Sequence, residues 1–402
     1  MKNKVPHILI YVPKVDQTWG GIRQYTCTLI TLLSTLENYH FYILHYSSDP
    51  EILRVSADKK NITIIAQRDI DISIMRKIKR KIKNSIVQIV SRLFSINIQP
   101  VELDLLDLAI EQYKIDLIHS PYQYLPKSSK VKTITTIHDV QELHFPEFFT
   151  ASQREYRAKE YNSATKSSAH LIVSYNHVKD DLVKYFQVQP HHVSVILLQM
   201  DKHWICQMKE TDTISLQKLS LHNRFMLYPA NAWSHKNHEA LIESVAYTVK
   251  EGKPVNIVFT GNFANPHGEY LIQKIANLGL ENHICVLGIV DEKTLFTLYK
   301  TCVGVVVPTL YEAGSFPLME AILLGVPVIC SRTTSLPETI GDPEFIFDPK
   351  NTHDMGDKLI SLFYDNSFAQ RSLENAISRR DFIINTKADE KIKTIYDTIL
   401  PS

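Results

Sequence analysis

Residues 303–330, VGVVVPTLYEAGSFPLMEAILLGVPVIC, admit few folds. Val303–Val307 is an apolar, β-branched run of the length of a strand buried on both faces, as in parallel sheets. Phe316–Leu324 predicts a helix with Pro317 in its first turn, where a missing N–H is harmless and the fixed φ is already helical. Gly325 and Pro327 end it, and Val326–Cys330 predicts the next strand. Strand, loop, helix and strand in this order are the α/β pattern. The loop brings the helix N-terminus to the carboxyl edge of the sheet, where free N–H groups and the positive dipole end attract an anion.

Two glutamates frame that point. Glu312 lies on the loop and Glu320 on the first turns of the helix, so both are expected to face one crevice at the sheet edge. Carboxylates beside an anion site do not suit a second phosphate; they suit hydroxyl donors, since each oxygen accepts from a sugar O–H. A nucleotide sugar, with hydroxyls on both sides of a diphosphate, presents that combination. Taken alone, the pair reads equally as a dipole-favoured acid and a solvated loop residue.

A chain of 402 residues has room for two domains, each with its own core. Its 44% apolar and 22% charged residues are those of a globular protein, and a net charge of +1 argues against a general nucleic-acid binder. No window is apolar enough for a membrane span, and MKNKVPHILIYVP reads as a first strand rather than a signal peptide. Cys27, Cys206, Cys285, Cys302 and Cys330 are scattered and form no CxxC pair, which suits buried free thiols in a reducing cytoplasm.

In chain order, a strand over His7–Val12 leads through Gly20 and Gly21, which permit close backbone approach, into a helix over about Ile22–Leu36. Strands follow at His40–His45 and Ile62–Ala66. Residues 74–94 bunch Arg76, Lys77, Lys79, Arg80, Lys81, Lys83 and Arg92 around isoleucines at helical spacing. Such a helix is expected on an anionic membrane surface; the other reading is a core-packed helix with a solvated charged side. Asp69-Ile70-Asp71 has the Asp-x-Asp form of some metal sites and is read as chance. Thr133–Asp139, TITTIHD, predicts a strand ending in His138, with only one of His138 and Asp139 facing the cleft, because strand side chains alternate. Strands at His191–Leu198 and Arg224–Tyr228 bracket a polar linker over about Met200–Leu219. Lys236, in PANAWSHKNH, then precedes a helix starting near Asn237, placed to meet the same anion. His235 and His238 lack a third ligand, so no metal is expected.

Glu312, seven intervening residues and Glu320, followed by Gly325-Val326-Pro327, resemble the signature of the retaining glycosyltransferases of family 4. The likeness covers most of the chain and is strongest over Phe225–Asp348. It implies the GT-B fold: two Rossmann-like α/β domains with parallel sheets facing across a cleft. Residues 1–205 would form the acceptor domain, 206–385 the donor domain, and 386–402 a helix crossing back to the first. By the same likeness, Glu320 holds the nucleotide ribose and Glu312 the donor sugar. The backbones of Gly314, Ser315, Phe316 and Leu318 meet sugar or phosphate oxygens, and Lys236 meets the diphosphate. Gly288 seats the nucleobase, Gly20 and Gly21 line the cleft, and His138 lies against the reacting centre. His138, Lys236 and Glu312 are the expected catalytic residues.

Three places depart from the pattern: Ala230 stands where the family has arginine, Ala313-Gly314-Ser315 replaces Gly-Phe-Gly, and Gln199-Met200-Asp201 stands at the domain junction in place of Asn-Gly-Val-Asp. Asn231, His235 and Arg332 are the candidates to replace the lost cation. The motif YPANAWSHKNH and the loop EAGSFP look most like bacterial surface-polysaccharide mannosyltransferases. The resemblance implies GDP-mannose, or another GDP- or UDP-hexose, as donor, with no metal or other cofactor. It also implies a glycan or lipid-linked oligosaccharide acceptor, and a cytoplasmic enzyme peripheral on the inner face of the cell membrane. The alternatives are a nucleotide-sugar epimerase, and a nucleotide-sugar-binding protein of the same fold without turnover.

Overall fold

Two parallel sheets organise the computed structural model, which describes residues 5–15, 20–47, 49–71, 105–126, 130–198 and 224–400. The first contains β1 (His7–Tyr11), β2 (His40–Leu44), β3 (Ile62–Ile65), β4 (Leu117–Ser120), β5 (Lys132–Thr136), β6 (His170–Val173) and β7 (Val193–Val195), in the order β3-β2-β1-β4-β5-β6-β7. The second contains β8 (Met226–Pro229), β9 (Ile257–Thr260), β10 (Ile284–Gly288), β11 (Gly304–Val307), β12 (Val328–Ser331) and β13 (Ile346–Phe347), in the order β10-β9-β8-β11-β12-β13. Every pairing among these strands is parallel, so the α/β, GT-B expectation of two Rossmann-like sheets holds. The order reverses between β1 and β4 and between β8 and β11, and such switch points open the crevice in which α/β sheets bind ligands.

The strands are short, and the central ones are buried on both faces: Ile8, Leu9 and Ile10 in β1, and Val305, Val306 and Val307 in β11, are all 0% exposed. Each lobe has its own core, which is what parallel sheets covered by helices require. The last helix, Ala388–Ile399, belongs to the first lobe's core although it follows the second lobe in sequence. Its Ile392, Ile395, Tyr396 and Ile399 pack among β1 and β2 residues, and Tyr396 Oη meets His119 Nδ1 at 2.7 Å.

Two segments singled out from sequence, the basic stretch 74–94 and the linker containing the 205/206 boundary, lie outside the described residues. Among the described residues no helix is long and apolar enough to cross a membrane. Cys27 and Cys330 are buried free thiols; Cys285 and Cys302 are free and partly buried.

Candidate active site

The N-termini of two helices meet where the lobes face each other. The Gly20–Leu33 helix begins in the loop after β1, earlier than the sequence suggested, and the Phe316–Leu324 helix begins after β11 as expected. A Cβ on Gly21 would lie 3.5 Å from the Phe316 ring, so the two helix starts are in van der Waals reach across the gap. Beside them opens a cleft of about 830 Å³, walled from the first lobe by Gly21, Tyr25, His138 and Asp139 and from the second by Lys236, Glu312, Gly314 and Phe316.

Lys236 and Glu312 form the polar centre. Lys236 ends a single turn, Ser234–Lys236, and Asn237 behind it takes a left-handed φ of 60° before the His238–Lys250 helix. That conformation is tied down by Asn237 Nδ2, which donates to the carbonyls of Pro308 and Pro349 at 2.9 Å each. Lys236 Nζ donates to Glu312 Oε1 at 2.5 Å, and the two side chains are 16% and 10% exposed. The Glu312 backbone is pinned too: its N–H donates to Thr334 Oγ1 and its carbonyl accepts from Ser335 Oγ. The carboxylate is therefore held by a rigid loop rather than free in solvent.

His138 differs from expectation in its setting. β5 stops at Thr136, so the strand alternation argument does not reach His138 and Asp139, and both line the cleft instead of one. The chain leaves the sheet there because Asp139 Oδ1 accepts from the Gln141 N–H and starts the turn Gln141–His144. His138 Nε2 lies 2.8 Å from the Pro121 carbonyl, which can only accept, so Nε2 carries the proton. Burial lowers its pKa, leaving a neutral ring with Nδ1 as the lone-pair nitrogen. The Tyr25 ring stands edge-on to it at 4.6 Å.

Glu320 is not among the residues that line the cleft with Lys236 and Glu312. Phe316, Pro317 and Met319 wall the cleft, and Glu320 Oε2 accepts from Tyr299 Oη at 2.5 Å. Burial pushes its carboxyl up to about 7, against the Tyr299 hydrogen bond, which lowers it. Because the folded protein holds this proton more tightly than an unfolded chain with an ordinary value of 4.5, stability is fully present below that value and is lost as pH rises through 7. Glu320→Gln is thus expected to gain about 1–2 kcal/mol over wild type at pH 8, the full shift being discounted for partial exposure, and almost nothing at pH 5. Melting temperatures at both pH values check this.

Of the remaining expected residues, Gly20 starts its helix, Leu318 and Ser315 are buried at 0% and 1% behind the wall, and Gly288 ends β10 at φ +72°. Its neighbours Ile289 and Val290 line the cleft. His235 lines it as well, neutral, with burial and then the Lys236 charge bringing its pKa down to about 3. Arg332 is 65% exposed and pairs with Asp348, and Asn231 Oδ1 accepts from the Asn262 N–H. None of the three supplies a cation, and Lys236 is the one lysine or arginine among the described residues of the cleft wall. His238 is enclosed by Tyr228, Phe259 and Phe263, and the described residues contain no group of three metal-ligating side chains.

Three residues escaped the sequence reading. Tyr311, 2% exposed, reaches from the second lobe to the first, where its hydroxyl accepts from the Val140 N–H and its ring meets His144 and His177. Tyr175 makes the reverse crossing; a Cβ on Gly314 would lie 3.2 Å from its ring. This explains why Gly stands where the family has Phe, since the first lobe's tyrosine already fills the space. Gly261 is the third. At φ +112°, its Cβ would fall 2.7 Å from the Ala230 carbonyl carbon. Gly261→Ala is expected to cost about 3 kcal/mol, and Gly279→Ala, at φ +65° with nothing within 4 Å, about 1 kcal/mol, as denaturant unfolding can measure.

Comparison with known proteins agrees with this fold. A model of the family described as "Glycosyltransferase Family 4" matches residues 19–198, and one described as "Glycosyl transferases group 1" matches residues 212–379. The chain is 24% identical over 263 residues to the O-antigen chain mannosyltransferase B of Escherichia coli, covering 65% of this chain and 69% of that protein. It is 24% identical over 261 residues to the serotype-specific mannosyltransferase WbdA of Escherichia coli, covering 62% of this chain but 31% of that protein. Among solved structures, HepE of Anabaena, crystallised with UDP and glucose, superposes with a TM-score of 0.66 at 15% identity, over 98% of this chain and 100% of that one.

Proposed function

Because the chain belongs to the family 4 glycosyltransferases of the GT-B fold, we propose that it moves a hexosyl unit, mannose above others, from a nucleoside diphosphate sugar to a glycan or lipid-linked acceptor, with retention at the anomeric carbon. GDP-mannose is the donor this reading favours, on the strength of the similarity to the Escherichia coli mannosyltransferases. The membrane-proximal site of action expected from residues 74–94 is part of the same reading.

The observation that carries it is the Lys236–Glu312 pair at the meeting point of two helix N-termini inside the inter-lobe cleft. In the proposed reaction the bond between the anomeric carbon and the diphosphate oxygen breaks, and charge accumulates on the leaving oxygens. In this reading the Lys236 ammonium, shared between Glu312 and the bound diphosphate, and the N–H groups of the Phe316 helix start stabilise that charge as it develops. Glu312 accepts hydroxyl protons of the hexose and fixes its orientation. His138 presents Nδ1 as an acceptor on the first-lobe side, where it positions donor and acceptor. The acceptor hydroxyl gives its proton to the departing diphosphate on the same face, so that no separate strong base is required.

The test is a melting-temperature screen against GDP, UDP, GDP-mannose and UDP-glucose, followed by transfer to a lipid-linked oligosaccharide with the stabilising donor. Stabilisation by one nucleotide class and an α-linked product from an α-linked donor are the expected results. Stabilisation by none of the four contradicts the assignment.

A further inference from the structure

The Phe316–Leu324 helix, FPLMEAILL, contains one charged residue, and it is held by another residue's hydroxyl. An apolar side chain at 320 would complete the helix's packing face at lower cost, since burial works against a carboxylate unless something uses it. The hydroxyl comes from Tyr299, on the neighbouring Glu292–Thr301 helix. That ring is 1% exposed within the second lobe's core, so it cannot swing away, and burial raises its pKa, so it stays a donor. Tyr299 occupies Glu320 Oε2, and Glu320 is partly rather than fully buried. One helical turn before Tyr299, Leu295 lines the cleft, as does Met319 immediately before Glu320. Leu295 and Met319 thus connect the Tyr299–Glu320 unit to the cleft wall.

We propose that Tyr299 is a positioning residue for nucleotide recognition: its buried hydroxyl clamps one oxygen of Glu320 so that the other is presented to the ribose hydroxyls of a nucleoside diphosphate. This rests on the reading of the cleft as a nucleotide-sugar site. A carboxylate on a flexible stem must lose rotamer freedom when it accepts from a diol; one held from behind has already lost it. The geometry also couples nucleotide binding to pH. A ribose O–H favours the ionised acceptor, so the ribose contribution weakens as pH falls through the region near 7 where Glu320 takes up a proton. Without the Tyr299 hydroxyl that midpoint moves upward.

Calorimetric titration of the full chain with GDP and UDP, each against its 2′,3′-dideoxy counterpart, tests this. Wild type is expected to prefer the ribonucleotide by roughly tenfold at pH 8, the scale of losing a hydrogen bond to a charged acceptor. Tyr299→Phe is expected to cut that preference at least threefold while leaving dideoxynucleotide affinity unchanged, and to lose what remains at a higher pH than wild type does. Glu320→Gln is expected to remove most of the preference, and adding Tyr299→Phe to it to change nothing further. Equal weakening of both nucleotides in Tyr299→Phe would mean a merely structural tyrosine and overturns the proposal. Wild-type binding without a ribose preference overturns it too, while sparing the cleft as a nucleotide site. Absence of any nucleotide binding overturns both.

Discussion

Lys236→Met is expected to lower kcat for hexosyl transfer by about 10²–10³-fold, the range seen when one preorganised donor to a developing anion is removed. Methionine keeps the unbranched stem and fills the same space, so the loss isolates the ammonium group. The effect should be near the top of that range because nothing nearby can substitute. Ala230 offers no charge, His235 is neutral, and Arg332 is turned outward to Asp348. Charge on the diphosphate grows as the glycosidic bond breaks, so kcat should fall further than KM rises. Steady-state kinetics with the donor varied at saturating acceptor gives both numbers. A kcat within threefold of wild type would mean that the leaving group is stabilised elsewhere.

Glu312→Gln is expected to act in opposite directions on two ligands. Transfer should fall by about 10²-fold, because an amide orients the hexose hydroxyls less strongly than a carboxylate. The nucleoside diphosphate without its hexose should instead bind about 3–10-fold more tightly, a change of roughly 1 kcal/mol. In the free protein Glu312 holds Lys236 at 2.5 Å in a largely enclosed pair, so an incoming diphosphate must share the ammonium with a carboxylate already in place. Removing that competitor releases the cation to the ligand. Titration with GDP and UDP checks the second half; weaker binding would show that Glu312 supports the diphosphate rather than competing with it.

The second lobe was the more legible half. Its motif depends on local rules: β-branched strands, a proline at a helix start and a glycine at its end, all satisfied within a few residues of one another. The helix over Phe316–Leu324 consequently emerged with the expected bounds. The pairing of Lys236 with Glu312 was foreseeable only as convergence on one anion, since the ion pair itself depends on how β8 and β11 lie side by side in the sheet. His138 shows where periodicity stops being a guide. TITTIHD alternates like a strand to its last residue, but the Asp139 turn ends β5 at Thr136 and places both polar side chains in the cleft.

What the sequence could not show were contacts between the lobes. Tyr175 and Tyr311 look like ordinary aromatic core residues, and only the facing surface reveals that each is inserted into the other lobe. The Gly314 departure made no sense until Tyr175 was seen against it. Gly261 carried a weak signal, a glycine directly after a strand, but the clash that enforces it comes from the backbone of Ala230, just past the end of the neighbouring strand β8. The partner of Glu320 was hidden within one lobe: Tyr299 lies on a separate helix and no spacing rule links them.

The central claim is that a diphosphate-linked sugar binds between the Phe316 helix start and Lys236. Crystals grown with GDP-mannose, or with the donor selected by the melting screen, test it most directly. The account predicts the diphosphate within hydrogen-bonding reach of Lys236 Nζ, hexose hydroxyls on Glu312 and the ribose beside Glu320. A donor bound in another part of the molecule, or one in the cleft with Lys236 still closed on Glu312 and no contact to the diphosphate, would contradict it.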